Sequence, residues 1–212
     1  ERVLFEVAQS QQATIYRTSG LCATPCVSWC RSDLELAEHH YFWDTFALLD
    51  EALHALKQLG VSLTKDMLLL AAKDFSWPGR YTWLECDVPV LLDGAHNPGA
   101  LLALMSSLKS DPKYVGQPIH CVFSTLNNRP LMQMLELLGE CSGFYFCPNT
   151  SERSVTHQAL IDVNSGPVFA SSAQAFIAAQ TAALRDQGIV LITGSLFLIG
   201  EVIAHLKGDD EH

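Results

Sequence analysis

The second half of the chain alternates short apolar runs with longer segments of helical periodicity. The apolar runs lack polar alternation, which is typical of strands covered on both faces. Strands that alternate with helices predict right-handed crossovers and a mostly parallel α/β sheet with helices on both faces. The predicted strands are "VPVLLD", "PIHCVFST", "GFYFCP" and "IVLITGS", and the predicted helices are "NPGALLALMSSLKS", "RPLMQMLELLGE", "SAQAFIAAQTAALRDQG" and "SLFLIGEVIAHLKG".

The first part of the chain has a different pattern. Residues 1–35 predict a short helix and a strand, followed by an irregular stretch. Apolar residues recur at helical spacing between Phe42 and Leu59, and Gly60 predicts the end of that helix. A further helix is predicted after Thr64, which is a suitable N-cap.

A Pro-Gly pair in "SWPGRYTW" separates the two patterns. We therefore predict a small α/β part over residues 1–82 and a separate parallel-sheet domain over residues 83–212.

Composition and charge limit the function classes. The formal net charge is −10 and apolar residues make up 49% of the 212 residues, so a sizeable core is expected. The acidic balance argues against nucleic-acid and anionic-membrane surfaces. No apolar run is long enough to span a bilayer, and no signal peptide is recognisable, so we expect a cytoplasmic protein. We also expect a monomer.

The cysteines fit a reducing compartment. Their number is seven, which is odd, and their spacing is irregular, so a disulfide framework is not expected. Cys22, Cys26 and Cys30 recur every four residues, which would align them on a helix as metal ligands. Pro25 interrupts that helix, and no fourth ligand follows at a zinc-like spacing, so we predict no metal site here.

Polar residues follow several predicted strands. The first strand ends in Asp93, His96 and Asn97, and the last ends in Gly194 and Ser195. Ligands of open α/β sheets bind beyond the carboxyl ends of strands, and helix N-termini there stabilise anions. The same residue types also serve as plain helix N-caps, so the pattern by itself leaves binding and capping as alternatives.

Three stretches occur in order along the chain: "WPGR" at 77–80, "LLDGAHNPGA" at 91–100 and "LITGSLFLIGEV" at 191–202. Together they resemble the folylpolyglutamate synthase/dihydrofolate synthase family of the Mur ligase superfamily. The resemblance implies an ATP-dependent ligase that phosphorylates a folate carboxylate and joins L-glutamate to it.

The resemblance also implies roles for individual residues. It assigns ATP phosphates to Arg80, the nucleoside side of ATP to Asp93, and the phosphate region to His96, which we predict to be catalytic. Ser195 and, as a weaker match in "SERS", Arg153 would bind the incoming glutamate. Asp44 or a neighbour stands where the family carries an Asn that holds the adenine.

Departures from the family pattern shape these expectations. No G-x-x-x-x-G-K-[ST] loop occurs in the chain, whereas the family carries this loop and most Mg²⁺ ligands in an N-terminal ATPase domain. Residues 1–82 resemble the end of that domain, so we expect the isolated chain to be inactive. The family's Asp-Lys-Asp after the second strand reads Asn127 to Arg129 here.

Other functions remain open at this stage. A cell-wall amino-acid ligase of the same superfamily and a divergent non-catalytic domain that binds a nucleotide or a partner both fit the pattern. A dinucleotide-dependent oxidoreductase is a third alternative, but no G-x-G-x-x-G follows any strand. Under the ligase interpretation, Asp93 and Ser195 lie at the same sheet edge, and the side chains of Asp93 and His96 are at least partly solvent-accessible.

Overall fold

The computed structural model describes residues 2–15, 42–64, 66–67, 70–71, 77–111, 114–163 and 165–208. The chain forms two compact units, residues 1–75 and residues 76–212. The structure thus divides the chain just before the Pro-Gly pair, and the assignment of the first part to an ATP-binding domain remains a prediction.

The described residues of the first unit are mainly helical. Helix α1 spans Arg2–Ser10 and helix α2 spans Phe42–Gln58, as the apolar spacing predicts. Gly60 follows α2 with φ of +86°, a left-handed conformation that favours glycine and ends the helix. The hydroxyl of Thr64 accepts a hydrogen bond from the amide of Met67 at 3.3 Å, which confirms Thr64 as an N-cap. The strand predicted within residues 1–35 falls largely outside the described residues.

The second unit is built on one five-stranded sheet with strand order β1-β2-β5-β3-β4. Strand β1 pairs antiparallel with β2, and all other pairs are parallel, which confirms a mostly parallel sheet. The strands are β1 Thr82–Glu85, β2 Pro89–Asp93, β3 Ile119–Phe123, β4 Gly143–Phe146 and β5 Ile189–Thr193. The helices are α3 Pro98–Ser110, α4 Leu131–Leu137, α5 His157–Val163, α6 Ser172–Asp186 and α7 Leu196–Lys207.

Helices cover both faces of the sheet because successive strand residues point to opposite sides. In the central strand β5, Leu191 packs in a core with α3, α4 and α5, whereas Ile192 packs in a second core with α6 and α7. All five residues of β5 are buried, which explains why its sequence is a continuous apolar run.

The sequence pattern did not predict two of the elements, strand β1 and helix α5. Strand β1 lies at the sheet edge, and its residues are half-buried or exposed, so it carries no continuous apolar run. Helix α5 is short, with Leu160 as its one fully buried residue. Among the described residues, no helix is both long and apolar enough to cross a membrane.

Candidate active site at the carboxyl edge of the sheet

Strands β2 and β5 bring two sequence motifs to one edge of the sheet. The two strands run parallel, and Asp93 at the end of β2 is paired in register with Thr193 at the end of β5. The loop that follows Asp93 (residues 94–97, the Asp93 loop) and the turn containing Ser195 therefore leave the same carboxyl edge, as predicted. The bond from the amide of Gly194 to the carbonyl of Ala95, at 2.9 Å, joins the two loops directly.

The Asp93 side chain organises this edge. It is 3% exposed, so the predicted solvent accessibility of Asp93 is wrong. Its Oδ2 accepts a hydrogen bond from the amide of Tyr81 at 2.8 Å, and its Oδ1 accepts one from the amide of Ala95 at 2.9 Å. The carboxylate is buried because the segment preceding β1 folds over the end of β2, and these charge-assisted bonds offset the cost of removing the charge from water.

His96 and Asn97 follow in the same loop and are half-buried. The Nδ1 of His96 donates to the carbonyl of Gly94 at 2.7 Å, since a carbonyl oxygen only accepts. In the neutral ring this tautomer leaves Nε2 as the nitrogen with the lone pair. Asn97 is the N-cap of α3, and its Oδ1 accepts from the amide of Ala100 at 2.9 Å. The half-buried state of His96 agrees with the predicted partial accessibility.

Gly194 and Ser195 form a tight turn between β5 and α7. Gly194 has φ of +96°, and a Cβ there would collide with the carbonyl oxygen of Ser124 and the ring of Phe123, so only glycine fits. Ser195 is buried and is the N-cap of α7, with its Oγ accepting from the amide of Phe197 at 3.2 Å. Its hydroxyl hydrogen keeps the capacity to donate a further hydrogen bond.

The "WPGR" stretch packs onto the same edge. The carbonyl of Gly79 accepts a hydrogen bond from the amide of Gly94 at 2.8 Å. A Cβ on Gly94 would collide with the side chain of Leu196, so the absence of a side chain lets α7 approach the loop. Arg80 is half-buried in this segment, immediately before the residue that contacts the Asp93 carboxylate. The structure thus brings together the three motif stretches, of which the last is about 90 residues from the other two in the sequence.

The loops after β3 and β4 meet at this edge as well. The amide of Asn127 donates to the carbonyl of Arg153 at 2.9 Å, and Leu126 forms an antiparallel bridge with Ser154. Asn149 is buried, and its Nδ2 donates to the Oγ of Ser124 at 2.9 Å. The side chain of Arg153 is exposed. The Asn127–Arg129 stretch and the "SERS" stretch that carries Arg153 are therefore hydrogen-bonded neighbours.

Two predictions concern residues that lie outside the described part of the structure, in whole or in their side chains. Asp44 lies in α2 of the first unit, and its side chain is outside the described residues, as are Cys22, Cys26 and Cys30. Within the described part of the chain, no group of three or more His, Cys, Asp or Glu residues is arranged to hold a metal ion.

Sequence reasoning missed Tyr81 and Asn149, which hold the loops of this edge in place. Tyr81 contacts Asp93 through its backbone, so its residue type gives no signal. Asn149 follows β4, and polar residues after a strand are common in any loop. The partner of Asn149, Ser124, follows β3. The two residues meet because β3 and β4 are neighbours in the sheet, which the sequence pattern does not reveal.

A match to a protein-family model shows the family of this chain. Residues 79–196, more than half of the chain, match the model described as "Mur ligase, glutamate ligase domain". The chain belongs to the Mur ligase family. The matched residues include Arg80, Asp93, His96, Arg153 and Ser195, and exclude Asp44.

Individual Mur ligase relatives agree with this assignment. The chain is 29% identical over 135 residues to a dihydrofolate synthase/folylpolyglutamate synthase of Bacillus subtilis, covering 62% of this chain and 31% of that protein. It also matches E. coli FolC in complex with ADP, with a TM-score of 0.66, 26% identity, and coverage of 76% of this chain and 39% of that chain. E. coli FolC in complex with DHPP and ADP gives a TM-score of 0.64, 25% identity, and coverage of 75% and 38%. The chain therefore spans about a third of the length of its curated Bacillus relative.

Proposed function

We propose that the chain is part of an ATP-dependent ligase that joins L-glutamate to a folate. The observation that carries the proposal is the meeting of the three motif stretches at one sheet edge, with Gly79 bonded to Gly94 and Gly194 bonded to Ala95. Membership of the Mur ligase family, together with the names of the relatives from Bacillus subtilis and E. coli, supports a carboxylate-amine ligase acting on folates.

The proposed reaction has two steps. A folate carboxylate oxygen attacks the γ-phosphorus of ATP, and ADP leaves with the electron pair of the broken P–O bond. The uncharged amino nitrogen of glutamate then attacks the acyl carbon, phosphate leaves, and the nitrogen loses a proton to give the amide. Catalysis of phosphoryl transfer depends on positioning and on neutralising charge at the transferring group.

We assign the residues of the carboxyl edge to these steps. Arg80 binds the phosphates of ATP, because a guanidinium presents a planar fork of donors to phosphate oxygens. His96 acts in the phosphate region, where Nδ1 donates to the carbonyl of Gly94 and Nε2 can accept a proton and, once protonated, donate it to a phosphate oxygen. Asp93 contributes to binding the nucleoside part of ATP indirectly, because its buried carboxylate holds the adjoining loop in place. Ser195 and Arg153 bind glutamate.

Mg²⁺ would neutralise phosphate charge in such a reaction. The described residues offer no cluster of three carboxylate, imidazole or thiolate ligands. We therefore assign no Mg²⁺ ligand among them, and Asp44 is assigned only to the adenine of ATP.

The test is release of phosphate by the protein as its gene encodes it. We expect release that requires ATP, a folate and L-glutamate together. Arg80→Ala should lower kcat/KM by about 10- to 150-fold, the usual result of losing a charge-assisted contact. Arg185→Ala removes the same charge from the exposed end of α6, in the second unit, and should leave kcat/KM unchanged within about twofold. Phosphate release that is independent of folate and glutamate, or an equal loss in both variants, would contradict the proposal.

A further inference from the structure

Tyr81 has an unusual backbone conformation next to Arg80. Its φ is +46°, in the left-handed region that bulky residues avoid at a cost of about 1–2 kcal/mol. Within the described residues, the other non-glycine residues with positive φ are Gln12 and Gln187, and both lie at the ends of helices. Tyr81 instead precedes an edge strand, so its surroundings must hold this conformation in place.

Two carboxylates hold Tyr81, one at each end of the residue. Its backbone amide donates to the Oδ2 of Asp93 at 2.8 Å, and its phenol donates to the Oδ2 of Asp111 at 3.4 Å. Asp111 is the C-cap of α3, the helix that follows the Asp93 loop. Burial, together with the neighbouring Asp111 carboxylate, raises the pKa of the Tyr81 phenol, so the phenol keeps the proton that it donates.

Aromatic packing fixes the ring as well. The Tyr81 ring contacts Trp83 edge-on, with centroids 6.2 Å apart, and Trp83 stacks on Tyr114 at 3.7 Å. Tyr114 is buried in the core beside α3. The ring therefore packs against the core of the second unit, whereas the backbone amide of Tyr81 is hydrogen-bonded to Asp93.

The backbone of Arg80 is held on both sides as a result. Its own amide donates to the carbonyl of Trp77 at 3.1 Å, and the next amide, that of Tyr81, donates to Asp93. The backbone angles φ and ψ of Arg80 lie between these two hydrogen-bonded amides, and they set the direction in which the side chain leaves the backbone. We propose that Tyr81 is a positioning residue that orients Arg80 relative to the Asp93 loop for binding the phosphates of a nucleoside diphosphate or triphosphate, a role that rests on the proposed function.

A double-mutant cycle tests this role by direct ADP binding, measured calorimetrically on the protein as its gene encodes it. Tyr81→Gly keeps the left-handed backbone accessible and removes the ring. We expect it to weaken ADP binding by about 5- to 10-fold when Arg80 is present, and by less than about twofold in the Arg80→Ala background. Tyr81→Phe keeps the ring and the backbone but removes the phenol bond to Asp111, so it should weaken ADP binding by less than Tyr81→Gly does. Arg185→Ala, at the exposed end of α6, is the control and should change ADP affinity by less than about twofold.

Each outcome decides the proposal. An equal loss of ADP affinity from Tyr81→Gly in both backgrounds would show a purely structural role, and unchanged affinity would show none, so either result overturns the positioning role alone. Absence of ADP binding by the unsubstituted protein overturns the proposed function and this role together. If urea denaturation shows that Tyr81→Gly is unfolded, Tyr81→Asn replaces it in the same cycle with the same criteria, since Asn also tolerates the left-handed region.

Discussion

The backbone of Gly194 passes directly beside the carbonyl oxygen of Ser124, leaving no room for a Cβ between the end of β5 and the end of β3. Both residues lie at the carboxyl edge where the motif loops meet. This close approach allows one more hydrogen bond beyond the paired residues of β3 and β5, in which the amide of Ser124 donates to the carbonyl of Thr193 at 3.4 Å. The geometry of this edge therefore depends on a residue with no side chain.

Gly194→Ala should destabilise the chain strongly. A left-handed φ of +96° and a collision with the carbonyl oxygen of Ser124 and the ring of Phe123 both oppose the added methyl group, so we expect a loss of about 3 kcal/mol or more in the free energy of unfolding. Urea denaturation followed by circular dichroism measures it. Gly200→Ala is the matched control at an exposed position of helix α7, where a Cβ meets nothing within 4 Å, and should stabilise by about 0.5–1 kcal/mol. Equal stability of the two variants would contradict the observed packing.

Asp93→Ala should lower stability as well as any nucleotide binding. The substitution leaves the half-buried amide of Tyr81 and the buried amide of Ala95 without their acceptor, at a cost of about 1–3 kcal/mol each. Asp87→Ala removes the same charge at an exposed position of the turn before β2, and should change stability by less than about 0.5 kcal/mol. An Asp93→Ala protein with unchanged urea midpoint would show that the carboxylate does not hold the loop.

The thiol of Cys86 should react slowly near neutral pH although the residue is exposed. Partial burial, followed by the carboxylates of Asp87 and Glu85, raises the pKa of this thiol. A higher pKa leaves less thiolate at a given pH, so alkylation by iodoacetamide should accelerate only as the pH rises above the usual thiol range. Mass spectrometry of the Cys86 peptide gives the rate.

The control for Cys86 is Asp87→Asn. Removing the nearby negative charge should lower the thiol pKa and speed alkylation at neutral pH. An unchanged pH profile in this variant would mean that Asp87 does not influence the thiol.

The 212-residue chain by itself should release no ADP from ATP. Its sequence contains no glycine-rich Lys-Ser/Thr loop, whose amides and lysine cradle the β- and γ-phosphates in this type of chemistry. A coupled spectrophotometric assay with folate and L-glutamate present measures ADP. Folate-dependent ADP release from this chain would disprove the expectation and would locate the phosphate cradle within these residues.

The sequence by itself determined the position of the elements that are most fully buried or most regularly amphipathic. Strands β2 and β5 are buried on both faces, so they are apolar up to their last residues, Asp93 and Thr193. The sequence of helix α2 shows the helical period of its apolar residues directly. The order of strand, polar loop and helix also determined that Asp93 and Ser195 leave strands at their carboxyl ends. Because parallel strands share one edge, this placement followed from local pattern and from the handedness of crossovers.

Only the tertiary structure decided how that edge is built. The burial of Asp93 depends on β1, an edge strand whose pairing with β2 is set by its partner and not by its own half-exposed residues. The contact between Asn127 and Arg153 depends on β3 and β4 being neighbours, and the contact between Gly194 and Ser124 depends on β5 lying beside β3. These are contacts between residues far apart in the chain, and a periodic pattern, which reports only on neighbours within one element, carries no information about them.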